Sequence, residues 1–449
     1  MKSNTVFSSF RDPSGFVFEK DGEVYRHINK EYFSHYEVLM NSGLYDELIQ
    51  RRLLIPHNEI ESNDSFKTIK PEIVPYVSYP YEWSFSQYKD AALVTLKIQE
   101  ISLKYGMTLK DASAYNIQFH KGAPILIDTL SFEILDPTKP WIAYRQFCQH
   151  FLAPLSLMSL KDIRMNCLMK DFIDGIPLDL ADCLLPKFLN IGLFLNIRLH
   201  SRSQHNYSSM HHGPKKPFSK NMYISIVDGL QRCVNKFSLR NIQSEWANYY
   251  SFTNYDEKAF IHKRELVESF LKELTPSFVV DFGANNGYFS RLASNKGIPT
   301  VAYDIDPLAV EYNYLTAKKN NEKFILPLLC DLTNPSPGIG WENKERDSCI
   351  DRCKGGCSMA LALIHHLAIS NNLPFNKIVD FFYVTSHSLI IEFVPKEDSQ
   401  VQKLLSTRKD IFSNYTEENF LMAFDEKFEI IRKELIKDSI RSLYLMKRK

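Results

Sequence analysis

The stretch Val279-Val280-Asp281-Phe282-Gly283-Ala284-Asn285-Asn286-Gly287-Tyr288-Phe289 puts a carboxylate and two glycines where a short apolar run gives way to a turn. A buried strand ending in such a turn, with a helix beginning near Tyr288, is where open α/β sheets bind ligands, outside the carboxyl ends of their strands. Glycine at 283 and 287 lets the backbone turn tightly and approach a ligand with no Cβ between them. The spacing narrows the ligand. A dinucleotide fingerprint needs G-x-G-x-x-G, whereas Asn285 and Tyr288 hold its second and third glycine positions. A phosphate-binding P-loop needs Lys after its last glycine, and Tyr288 follows Gly287. What remains is D-x-G-x-x-x-G, with an acid inside the strand terminus. That charge repels a pyrophosphate and suits a ligand carrying a cationic amino group.

Two more acids stand at the ends of the following strand candidates. Val301-Ala302-Tyr303 runs into Asp304, which lies 23 residues beyond Asp281, near the interval at which a carboxylate takes up both hydroxyls of a ribose. Leu329-Cys330-Asp331 then places a polar group where a nucleoside base would lie. A fourth run, Met359–Leu363, leads into Ile364-His365-His366, and a fifth is Leu389–Val394. An ordinary imidazole, with a pKa of about 6.5, can act as a base near neutrality, so His365 and His366 are the candidate proton acceptors. The competing reading has one histidine packed structurally and the other shaping the pocket.

The N-terminal half carries a different pattern. Leu109-Lys110-Asp111-Ala112-Ser113-Ala114-Tyr115-Asn116 contains D-x4-N, followed by a strand, a turn at Gly122 and Ile125-Leu126-Ile127-Asp128. This resembles the kinase-like order of a catalytic Asp, a metal-binding Asn and a second metal-binding Asp after a short hairpin. Residues Gly15–Ile28 read as a terminal hairpin turning at Asp21-Gly22, and Tyr79–Trp83 as a hinge before a helix Gln87–Tyr105. Departures are plain: no G-x-G-x-x-G loop, no clear lysine-bearing third strand, and Thr129-Leu130 after Asp128. The expectation is a degenerate scaffold that binds acceptor or partner.

The elements that must position these groups fall into three regions. Residues 1–140 mix strand-like runs and turn signals, 141–250 are mainly helical with a linker, and 251–449 alternate helix and strand. The fold class expected is α/β, with a C-terminal, mostly parallel Rossmann-like sheet covered by helices on both faces. An α+β N-terminal region and a helical extension precede it. With 54 basic and 53 acidic side chains the chain has no global field to draw nucleic acid or an anionic membrane. The most apolar stretches, Phe147–Leu160 and Cys183–Leu199, are interrupted by Pro or polar residues and are too short to span a bilayer. Without a signal peptide the expected location is cytoplasmic, with reduced thiols. Cys349, Cys353 and Cys357 in CIDRCKGGC lack CxxC spacing and read as a surface loop entering a strand. Four histidines in the segment His200–Lys220 (His200, His205, His211, His212) are irregularly spaced and read as solvent-exposed. No metal is expected.

Residues 279–287, 301–306, 329–331, 359–366 and 389–394 resemble the ordered motifs of class I S-adenosylmethionine-dependent methyltransferases. The resemblance implies that Asp281 and Gly283 lie by the methionine part of that cofactor, Asp304 on its ribose and Asp331 by its adenine, with Asn285 and Gly287 also binding it. Asn285 stands where the usual turn has its middle glycine, and asparagine tolerates left-handed backbone angles. Over its whole length the chain is also similar to a family of long bacterial methyltransferases related to the nodulation host-specificity protein NoeA. The carrying stretches are DPSGFVFEKDGEVYRHIN, SYPYEWSFSQYKDAAL, LKDASAYNIQF, ILIDTLSFE, YRQFCQHFLAPL and LALIHHLAISNNLPF. That likeness implies methylation of a small molecule or a glycan or glycolipid precursor. Against it stands a non-catalytic or phosphotransferase-like binding protein with degenerate nucleotide sites. A nucleic-acid acceptor is disfavoured by the neutral charge and by Ile364-His365-His366-Leu367, where an Asn-Pro-Pro-Tyr-like tetrapeptide would stand.

Overall fold

The computed structural model describes residues 4–186, 219–239, 257–406 and 409–449. The four histidines of the His200–Lys220 segment lie outside them. Two compact units divide the chain. One holds Met1–Ile242 together with Gly338–Arg346, and the other Gln243–Pro337 with Asp347–Lys449.

The first unit opens with strands β1 (Asn4–Thr5), β2 (Gly15–Lys20), β3 (Glu23–Asn29), β4 (His57–Ser62) and β5 (Phe66–Pro71). They form an antiparallel sheet in the order β1-β2-β3-β5-β4. Asp21 and Gly22 both take positive φ, 56° and 78°, which is the turn that joins β2 to β3 with matching twist. The hairpin is internal, because β1 pairs outside β2. Helices Phe33–Asn41 and Leu44–Gln50 separate β3 from β4. A reciprocal cap between Ser84 and Gln87 starts the helix Phe85–Lys104, two residues ahead of the predicted start. Then come β6 (Met107–Leu109), β7 (Ile117–His120), β8 (Ala123–Leu126) and β9 (Phe132–Ile134), pairing as β6-β9 and β7-β8. The apolar run from Phe147 is buried helix: Phe147, Phe151, Leu155 and Leu157 are fully enclosed. No helix among the described residues is long and apolar enough to cross a membrane.

The second unit is built on one seven-stranded sheet. Its strands are β10 (Val279–Phe282), β11 (Thr300–Asp304), β12 (Ile325–Leu329), β13 (Gly356–Ala360), β14 (Ser386–Phe393), β15 (Phe428–Leu435) and β16 (Ser442–Arg448). Their order is β12-β11-β10-β13-β14-β16-β15. The five from β10 to β14 run parallel, and β16 pairs antiparallel with both β14 and β15. The sheet is therefore mixed, mostly parallel, with β10 at the point where strand order reverses. Helix Glu257–Leu274 packs Val267, Phe270 and Leu271 against Val279, Met359, Ile390 and Leu445. Each such side chain, fully buried, contributes about 1.5–3 kcal/mol.

Three expectations need correction. The fourth strand lies at Gly356–Ala360 rather than Met359–Leu363, because the chain leaves the sheet at Leu361 and Ala362 turns into the left-handed region at φ 52°. The helix after the glycine turn is a stub, Ser290–Ser294. And CIDRCKGGC is not a surface loop: Cys349 opens a short helix, Cys349–Arg352, and Cys349, Cys353 and Cys357 are all buried.

Candidate active site

Every residue of β10 is buried, so Asp281 carries its carboxyl into the protein, 2% exposed. The amides of Gly283 and Ala284 donate to the Tyr303 carbonyl at 2.9 and 2.8 Å, tying the turn to the end of β11. Gly283 and Gly287 both take φ 78°, and Asn285 sits between them at φ 49°. Asparagine thus holds the left-handed position its chemistry allows. At Gly287 a Cβ would stand 2.4 Å from the Asn313 side-chain nitrogen, so space as well as conformation demands glycine.

Asp304 closes β11 and accepts two backbone hydrogen bonds, from Asn285 at 2.7 Å and from Asp306 at 2.9 Å. The second strand's acid therefore braces the first strand's turn. Ser290 donates to Asp281 at 2.6 Å. Asp331, after β12, accepts from the amide and hydroxyl of Thr333 at 2.8 and 2.7 Å.

A cavity of about 370 Å³ lies over these strand ends, and its wall includes Asp281, Gly283, Asn285, Asp304, Asp331 and His366. Gly287 shapes the turn without lining it. Burial raises Asp281 to about 7 and Asp304 to about 6, since enclosure disfavours the charged carboxylate. Both retain one face towards a cavity that a cation would stabilise.

The two candidate bases part company. His365 is 1% exposed, is absent from the cavity wall, and has no hydrogen bond on either ring nitrogen among the described residues. Its ring packs on His366 with centroids 4.2 Å apart. His366 does line the cavity, at the start of a wide π-helical turn, His366–Ser370. Burial holds His366 down at about 4, so it is neutral at physiological pH.

Sequence reasoning missed Lys263. On the helix Glu257–Leu274 it falls three residues after Phe260 and four before Val267, within the apolar stripe. A lysine on a buried stripe was the available signal. Lys263 lines the cavity, and its ammonium pairs with Glu392 of β14 at 2.6 Å and lies 4.6 Å from the Phe289 ring centroid. Arg441 continues the network, 3.5 Å from Glu392 and bidentate to Asp398 at 2.7 and 2.9 Å.

The N-terminal trio is arranged otherwise. Asp128 receives Arg26 of β3 in an ion pair, the Ser131 hydroxyl at 2.5 Å and the Leu130 amide at 3.2 Å. Asn116 donates to Ser131 at 3.4 Å, and Asp111 accepts from the Ser113 amide at 2.8 Å. Ser131 thus links Asn116 to Asp128, whereas the Asp111 bond is a local turn.

A mostly parallel sheet in this order, with antiparallel β16 beside β14 and acids at three successive strand ends, is the arrangement of the class I methyltransferase fold. The chain is 32% identical to nodulation protein NoeA of Rhizobium meliloti (strain 1021), over 99% of its own length and 96% of that protein's. It belongs to the NoeA family. No family model matches the chain. Among solved structures, magnesium protoporphyrin IX methyltransferase (ChlM) from Synechocystis PCC 6803 aligns with 45% of this chain and 93% of its own, at 15% identity and a TM-score of 0.31. The N-methyltransferase NodS from Bradyrhizobium japonicum WM9 aligns with 43% and 98%, at 10% identity and a TM-score of 0.31. The bifunctional kinase-methyltransferase WbdD aligns with 43% of this chain and 40% of its own, at 14% identity and a TM-score of 0.29. The strand order, rather than these overlaps, carries the fold.

Proposed function

We propose that the second unit transfers a methyl group to a small molecule or to a glycan or glycolipid precursor. The observation that carries this is the single cavity shared by Asp281, Asp304 and Asp331. The donor set fits the cofactor: Asp281 would hold the methionine amino group, Asp304 the ribose hydroxyls, and Asp331 the adenine end. S-adenosylmethionine supplies, when bound, a methyl on a positively charged sulfur. The chain's own contribution is alignment, which by itself can lower such a barrier by about 7–11 kcal/mol at best. A base is required only where the acceptor is a hydroxyl or another group protonated at neutrality. His366 is the residue placed for it, being neutral and on the cavity wall; His365 is assigned a packing role. Lys263 lines the same cavity with its ammonium paired to Glu392. NoeA is described as a nodulation protein, and we carry over from it no acceptor. Calorimetry with S-adenosylhomocysteine tests the reading: micromolar binding that Asp304→Ala weakens supports it, and binding indifferent to that change ends it.

The first unit we read as a degenerate kinase-like scaffold that recognises acceptor or partner. In kinases the cation of the third strand and the helix after it serve the nucleotide phosphates. Here β3 offers Arg26, and Arg26 is spent on Asp128. With both its oxygens engaged, Asp128 is a poor metal ligand. Adding Mg²⁺ and ATP is expected to leave the melting temperature unchanged and to release no phosphate; a clear upward shift would restore phosphoryl transfer.

A further inference from the structure

We propose that Cys330 is an oxidation site: a thiol on the cofactor-cavity wall that a hydroperoxide converts to a sulfenic acid and Cys349 then captures as a disulfide. Cys330 follows β12 directly, is partly exposed and lines the cavity beside Asp331. Behind it, the Cys349 sulfur lies 3.8 Å away and is 1% exposed. Cys353, one helical turn on, is fully buried. An oxidant entering the cavity therefore meets Cys330 first, and Cys349 only through it. Hydrogen bonds from the Cys330 and Cys353 thiols lower the Cys349 pKa, which favours the thiolate needed as resolving nucleophile.

The chemistry balances without a metal or second protein. The Cys330 sulfur attacks one peroxide oxygen, the O–O bond breaks, and the leaving oxygen takes the electron pair and the Cys330 proton as water. Cys349 sulfur then attacks the Cys330 sulfenic sulfur, the S–O bond breaks, and water departs with the thiol proton. Two thiols and one hydrogen peroxide give one disulfide and two waters. A disulfide needs about 2.05 Å between sulfurs, so the pair must close by roughly 2 Å. That movement draws on the cavity wall, because the Cys330 amide donates to the Asp304 carbonyl at 2.9 Å and Asp331 is the next residue. The disulfide is expected to weaken cofactor binding at the adenosine end; this part rests on the cavity being the cofactor site.

Cys357 supplies an internal control. It is buried, and enclosure raises its thiol to about 12, so it stays protonated and inert. The experiment treats the folded full chain with hydrogen peroxide, quenches it, then unfolds the chain, alkylates remaining thiols and maps cross-linked peptides by tandem mass spectrometry. Expected is a dithiothreitol-reversible Cys330–Cys349 peptide, with Cys357 alkylated and at least a tenfold loss of S-adenosylhomocysteine affinity. In Cys349→Ser, dimedone should instead trap the sulfenic acid on Cys330. No cross-link in the unmodified chain, or passage of Cys330 to sulfinic acid alone, would overturn the proposal. So would a Cys330–Cys353 cross-link in its place. Saturating S-adenosylhomocysteine should slow cross-linking at least tenfold. If it binds the reduced protein without slowing the reaction, Cys330 is not on the cofactor wall and the proposal falls. If it does not bind the reduced protein, the cofactor reading fails, and the cross-link in ligand-free protein still decides the thiol pair.

Discussion

Asp281 and Asp304 hold protons at pH values where exposed carboxyls have lost theirs, about 7 and 6 respectively, because both are buried. A ligand ammonium beside Asp281 favours the ionised form and so lowers its pKa in the complex. The sign follows: below about pH 7 the cofactor must displace a proton, and affinity falls by up to tenfold per pH unit as the medium acidifies. Above pH 7.5 it is flat. Calorimetry from pH 6 to 8.5 checks this, and Asp281→Asn should remove the slope around pH 7, leaving only the Asp304 titration near pH 6. A constant Kd in the unmodified protein would place the cation elsewhere. On the proposed assignment of Asp304 to the ribose hydroxyls, Asp304→Ala removes a charge-assisted contact of about 1.5–3 kcal/mol, or roughly 10–150-fold in Kd. His366 is neutral throughout this range, its pKa held at about 4, so the acid limb of activity belongs to Asp281 and, nearer pH 6, to Asp304. Should His366 act as base, His366→Gln lowers kcat by about 100-fold or more while leaving S-adenosylhomocysteine affinity intact. Full turnover in that variant confines His366 to shaping the cavity. The acids were legible because strand ends and glycine spacing fix where they sit. His365 and His366 were not separable, since adjacent residues differ only in which way the turn presents them. Lys263 escaped because its partner, Glu392, is distant in sequence.

The turn after β10 works as an element because two left-handed glycines flank a left-handed asparagine. Gly287→Ala meets both a strained φ of 78° and an Asn313 atom 2.4 Å from the new Cβ. The backbone strain alone costs about 1–3 kcal/mol. For a unit of this size that is a fall of roughly 3–10 °C in melting temperature, with loss of S-adenosylhomocysteine binding. Gly355 is the contrast, at φ 88° with nothing within 4 Å of an added Cβ. Gly355→Ala should cost about 1 kcal/mol and leave cofactor affinity unchanged. Thermal unfolding followed by circular dichroism distinguishes them; equal losses would mean that crowding at Asn313 contributes nothing. Apolar runs placed β10, β11, β12 and β14 within a few residues, because strands buried on both faces must be continuously apolar. β13 was read three residues late, since Leu361 and Leu363 extend the apolar run past the sheet. β15 passed unread: in its sequence FEIIRKEL only Phe428 is buried, and charged residues stand among the apolar ones on both faces.

Across the molecule the chain crosses between units three times, because Gly338–Arg346 belongs with Met1–Ile242 while its flanks belong to the other unit. No reading by consecutive regions can contain such a segment, for partners 334 residues apart leave no period in the sequence. Within the first unit, Arg11 grips Glu345 through two hydrogen bonds, 2.6 and 2.9 Å long. Glu345 also accepts from the Trp341 amide at 3.1 Å, and Arg346 lies 4.8 Å from the Tyr115 ring centroid. The Glu345 side chain is 2% exposed and that of Arg11 51%, so one partner is enclosed while the other is half in water. Bidentate geometry strengthens the pair and solvent screening weakens it, leaving a coupling of about 1 kcal/mol. Removing Glu345 should cost less than removing Arg11 costs in excess of its own packing, because Arg11→Ala strands a buried carboxylate. A double-mutant cycle of Arg11→Ala and Glu345→Ala, read by urea unfolding, measures the term directly. A coupling of zero would assign the hold on this segment to Arg346 and Tyr115, and Arg346→Ala would then show the larger loss.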